Sequence, residues 1–117
     1  MKAIVEVAKR GSAIRTARRQ LASPPGGEPL DYRLSFESAR TLFAELTPAR
    51  LDLLETLRRV GPCSIYALAR ASDRNYSNVH TDVGRLEKLG LVERTESGTV
   101  SVPFDAVEIV LPLAHAA

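Results

Sequence analysis

Apolar residues recur most regularly between Asn75 and Leu89, where Val79, Val83 and Leu86 follow one another at four- and three-residue steps. That spacing puts them on one face of a helix, with Tyr76 and Leu89 flanking the stripe. Gly90 ends the helix where a left-handed residue is wanted, and Leu91 and Val92 continue as extended chain. Upstream, Ser64 caps a shorter helix whose Ile65, Leu68 and Ala69 face inward, while Ala67, Ala69 and Ala71 permit close helix–helix approach. Ala71 to Asn75 forms the turn between the two. Downstream, Leu91–Thr95 and Thr99–Val102 are strand-like and are joined through Glu96-Ser97-Gly98 as a hairpin.

The remaining pattern is simpler. Ala3 to Val7 has the β-branched content of a short strand. Ser12 caps a helix with Ile14, Ala17 and Leu21 on one side and Arg15, Arg18 and Arg19 around the other. Ser23 to Pro29 breaks that helix, as a linker or a long surface loop. Ser35 then caps a helix with Phe36, Ala39, Leu42, Phe43 and Leu46 at helical spacing, and Thr47-Pro48 starts another with Leu51, Leu53, Leu54 and Leu57. Both read as core scaffold, and Gly61-Pro62 stops the second. Val107 to Leu113 is a strand too apolar to stay bare. It is expected to pair with Ala3–Val7, within or between chains, and so to build a dimer interface.

The expected fold class is therefore α+β, mainly α. Residues 34–113 form a winged helix-turn-helix domain with a C-terminal strand. Residues 1–33 form an extension of strand, basic helix and Pro/Gly-rich loop.

Opposite the apolar stripe of helix 75–89 lie Ser77, Asn78, Thr81, Arg85 and Lys88. Short hydrogen-bonding groups near the N-terminus and cations near the C-terminus are what a recognition helix needs, the first for base edges and the second for phosphates. Any surface helix has a polar face, so the surrounding architecture is what turns this one towards DNA. Asn75, rather than Asp73, caps the helix, whose partly positive N-terminus suits a phosphate. Arg94 is the cation of the wing, flanked by Glu93 and Glu96; it contacts a phosphate or stands as an exposed strand charge.

Net charge is +2, but residues 1–22 carry six cations against one acid and the rest ten against thirteen. The basic N-terminal segment thus supplies field that the helix-turn-helix portion lacks. Cys63 is the only cysteine, and the two histidines, His80 and His115, lie far apart in sequence. No disulfide framework, transition-metal site, Gly-rich phosphate loop, nucleophile elbow or HExxH motif can be read. An enzyme and a cofactor are not expected. His80 reads as a surface or phosphate-contact residue, and Cys63 as a small structural residue at a helix start. No apolar run approaches the roughly 20 residues of a membrane span, and the opening residues lack a secretory signal core, so a cytoplasmic protein is expected.

From about Leu34 to Leu113 the sequence resembles the MarR-like winged-helix predicted transcriptional regulators of prokaryotes. The residues that carry the likeness are SFES at Ser35–Ser38, LTPARLDLLETLRRVGPCSIYALAR at Leu46–Arg70, RNYSNVHTDVGRLEKLGLVER at Arg74–Arg94 and VPFDAVEI at Val102–Ile109. The resemblance implies sequence-specific binding of double-stranded DNA by a homodimer that represses its own operon. Some relatives look like antitoxins, which implies a toxin-like protein partner. Arg74, Tyr76, Asn78, His80 and Asp82 match the motif, whereas Ser77 and Thr81 stand where the family tends to carry Lys or Arg. Within this reading Asn78, Ser77 and Thr81 face base edges, while Arg74, Arg85, Lys88, Tyr76 and Arg94 contact the backbone. Asp82 orients an arginine, either Arg85 or one outside the helix. Tyr76 buries its ring and offers its hydroxyl. The alternative is an antitoxin-type protein-interaction module; a repressor that responds to a small molecule stays open beside it.

Overall fold

The computed structural model describes residues 1–8, the backbone of 14–17, and residues 31–113. The protein is α+β. Its described elements are β1 (Lys2–Val7), β2 (Ile14–Ala17), β3 (Tyr32–Phe36), α1 (Ala39–Glu45), α2 (Pro48–Val60), α3 (Ile65–Ser72), α4 (Tyr76–Lys88), β4 (Glu93–Arg94), β5 (Val100–Ser101) and β6 (Ala106–Val110). They fall into two units, Met1–Ala44 with Phe104–Ala117, and Glu45–Pro103. The boundary expected at 33/34 lies inside β3, and the C-terminal strand joins the N-terminal sheet.

The first unit is built on a four-stranded sheet in the order β2-β3-β1-β6. β1 runs parallel to both β3 and β6, and β2 is antiparallel to β3. Alternation decides what the sheet buries. Ala3, Val5 and Val7 stand opposite Tyr32, Leu34 and Phe36 in register, and all six are buried. Tyr32 stacks on Phe104 with ring centroids 5.6 Å apart. The expected pairing of the C-terminal strand with β1 is present within the chain, from Lys2↔Ala106 to Glu6↔Val110. Ion pairs of 2.8 Å, from the Met1 amino group to Asp105 and from Lys2 Nζ to Glu108, lie at the start of this ladder.

Two sequence expectations fail in this unit. Ile14–Ala17 is a strand, not the first turns of a helix, because its backbone pairs with Arg33–Phe36. The rest of that expected helix, Ser12 and Arg18 to Leu21, lies outside the described residues, as does the break at 23–29. Phe36 ends β3 instead of opening a helix. The helix starts three residues later, capped by Ser38, whose Oγ accepts from Thr41 N at 3.1 Å.

In the second unit the caps fall where the sequence puts them. Thr47 Oγ1 accepts from Arg50 N with Pro48 at the first helical position, Ser64 Oγ accepts from Ala67 N, and Asn75 closes the start of α4. Leu53, Leu54 and Leu57 of α2, Ile65, Leu68 and Ala69 of α3, and Val79, Val83 and Leu86 of α4 are all buried. α3 runs to Ser72, two residues further than expected, leaving Asp73 to Asn75 as the turn. Asp73 makes that turn in the left-handed region at φ 54°. Gly90, at φ 81°, lets the chain leave α4 with Leu91 N donating back to Leu86 O at 2.9 Å. β4 and β5 form a short hairpin, and Cys63 and Val100 exchange backbone hydrogen bonds that tie its second strand to the start of α3.

Candidate nucleic-acid interface

Burying Val79, Val83 and Leu86 turns the other side of α4 outward. Tyr76, Ser77, Asn78, His80, Thr81 and Lys88 are exposed, and Arg85 is half-buried. The cap fixes the first turn: Asn75 Oδ1 accepts from Ser77 N at 2.8 Å, Asn78 N at 3.3 Å and Ser77 Oγ at 2.6 Å. Asn75 is thus occupied in holding the helix start. The Ser77 hydroxyl has spent its proton on the cap and is left as an acceptor only.

Beneath this face runs a chain of ion pairs. Asp82 accepts from Arg50 Nε at 2.9 Å and from Arg74 Nη2 at 2.7 Å. Arg50 continues to Glu45, whose backbone oxygen accepts from Nη1 at 2.9 Å, and the Glu45 carboxylate accepts from Arg85 Nε at 2.9 Å. Burial pushes the Asp82 carboxyl up, but hydrogen bonds and charge from Arg50 and Arg74 outweigh it and hold the group below its ordinary 3.8. Asp82 therefore orients arginines from outside α4. Arg85, the other candidate, is held by Glu45. Arg74 keeps one buried guanidinium nitrogen, Nη1, with no partner.

Three expected backbone contacts are thus engaged inside the protein. Arg74 bonds to Asp82, Arg85 to Glu45, and Arg94 to Glu87 of α4 at 3.1 Å instead of standing between Glu93 and Glu96. Lys88 has no ion-pair partner among the described residues. Tyr76 does not bury its ring: it is 49% exposed and lies against His80 at 5.9 Å between centroids.

Tyr66 and Arg70 are additions that sequence reading missed. They lie four apart on the outer face of α3, with the Arg70 guanidinium 5.9 Å above the Tyr66 ring and Nη1 donating to the phenol oxygen at 3.3 Å. With Arg74, Asn75 and Tyr76 they line an open cleft of about 550 Å³ at the start of α4. The i, i+4 spacing of an exposed Tyr and Arg was the available signal. Cys63 is not an activated thiol, since burial pushes its pKa up.

Among the described residues no helix is long and apolar enough to cross a membrane. No curated protein and no solved structure matches the chain. The family model named HVO_A0114 matches residues 45–109, more than half of the sequence and the whole of the unit that carries α4 and its polar face. On that match the chain belongs to the HVO_A0114 family.

Proposed function

We propose that Glu45–Pro103 is a winged helix-turn-helix of MarR-like type, and that the protein is a dimeric, sequence-specific regulator of transcription that acts on double-stranded DNA in the cytoplasm. α3 and α4 are the helix-turn-helix, β4 and β5 the wing, and α4 enters the major groove. The observation that carries this reading is the outer face of α4: a capped helix start with Asn78, Thr81 and Lys88 exposed together, next to the Tyr66–Arg70 pair. Asn78 is the foremost base reader, because a side-chain amide offers a donor and an acceptor together to adenine.

Fluorescence anisotropy with the protein's own upstream DNA and a scrambled duplex of equal length tests the reading, at low and moderate salt. Preference for the upstream duplex that persists as salt rises is expected. Asn78→Ala should cost roughly 1–3 kcal/mol on that duplex and little on the scrambled one. If the variant keeps both affinity and preference, Asn78 reads no base.

A second reading is favoured by the engaged arginines. With Arg74, Arg85 and Arg94 all paired to carboxylates, the face presents little free positive charge. Such a surface suits an antitoxin-type module that binds a protein partner. Equal binding of both duplexes, vanishing with salt, would put that reading first.

A further inference from the structure

Gly84 sits in the third turn of α4, where a glycine is a poor choice. It leaves the backbone freer in the unfolded chain and so weakens a helix relative to alanine. Among the described glycines, Gly61, Gly90 and Gly98 have positive φ and so a conformational reason to be glycine; Gly84 does not. Packing supplies no reason either. A Cβ built on Gly84 would meet nothing within 4 Å. The fold therefore neither needs this glycine nor gains from it.

Its place on the helix suggests where the reason lies. At about 100° per residue, half-buried Gly84 falls between His80 and Ser77, with Thr81, Glu87 and Lys88 one turn away on either side, and turned from the buried Val79, Val83 and Leu86. The outer face thus has short polar groups in its first turns, a cation in its last, and bare backbone between them. We propose that Gly84 is a point of close approach, where the sugar-phosphate wall of a double-stranded DNA groove comes against the helix backbone and a side chain would hold it off. This rests on the DNA-binding reading and adds to it a residue that sets how deeply α4 seats.

The inference is tested by a series in which stability and binding should move in opposite directions. Gly84→Ala and Gly84→Gln put good helix formers at an unobstructed position, so both should raise Tm, by roughly 3–6 °C for the alanine variant. Affinity for the upstream duplex should fall about threefold or more with alanine and at least tenfold with glutamine, in order of size. Variants that gain Tm and bind DNA as tightly as the wild type would overturn the close approach while leaving the DNA-binding reading intact. Variants that lose Tm would also overturn it, by showing that the fold itself needs the glycine. A wild-type protein that binds neither duplex removes the DNA-binding reading, and this close approach with it.

Discussion

At the scale of single residues, Asp82 is the group that ties α4 to α2 and to the turn before it. It is a carboxylate 14% exposed that holds arginines from α2 and from the turn before α4, one of which already has an unpartnered nitrogen. Asp82→Asn removes the charge and leaves both guanidiniums facing an amide. A loss of about 1.5–3 kcal/mol is expected, the range for hydrogen bonds to charged groups. The pH dependence has a definite sign. Because the folded pKa lies below the unfolded value, the unfolded chain takes up the proton first as pH falls. The contribution is therefore complete above about pH 5 and drains away as pH falls through the lowered folded value. Urea midpoints of wild type and variant should differ by a constant amount above that pH and converge below it. A gap that stays open in acid would mean the carboxylate's charge is not what holds the arginines. Nothing in the sequence could pair Asp82 with Arg50, thirty-two residues away; that bond exists only once α2 and α4 are packed.

At the scale of elements, what was legible depended on where the stabilising partner lies. α2, α3 and α4 each carry a capping side chain at the junction, so Thr47, Ser64 and Asn75 announce helix starts locally. The strands depend on distant partners. Ile14 and Ala17 are spaced as a helix face would be, yet pairing with β3 makes the segment a strand. β3 was a different failure. Tyr32, Leu34 and Phe36 alternate with Arg33 and Ser35, a period of two in plain view, but Phe36 also fits the helical spacing of Ala39 and Leu42. The caps make a prediction of their own. Asn75→Ala should expose the Ser77 and Asn78 amides, costing about 1 kcal/mol. Amide exchange should speed up in the first turn of α4, and DNA affinity should fall with it. Asn75→Ser restores an acceptor and should recover both. If serine restores the exchange rates but not the binding, Asn75 touches DNA directly as well as capping the helix.

At the scale of the molecule, a protein that acts on DNA as proposed needs a field that draws in a polyanion. Glu45–Pro103 carries eight cations and eight acids, so the unit that contains α4 is formally neutral. Within it Arg50, Arg74, Arg85 and Arg94 are tied to Glu45, Asp82 and Glu87. Such a unit has little long-range pull on a polyanion, since nonspecific affinity follows the phosphates that cations neutralise. The excess positive charge sits in residues 1–22, with six cations against one acid, and a dimer would present it twice. Attraction and discrimination should therefore separate under mutation. Replacing Arg18 and Arg19 together with glutamine should lower affinity for the upstream and the scrambled duplex by the same factor. It should also flatten the plot of log affinity against log salt by about 0.9 for every phosphate no longer neutralised. The ratio between the two duplexes should not change. Asn78→Ala should do the reverse, narrowing the ratio and leaving the salt slope alone. If the arginine pair instead alters the ratio, the N-terminal segment reads sequence itself, and α4 is only part of the recognition surface.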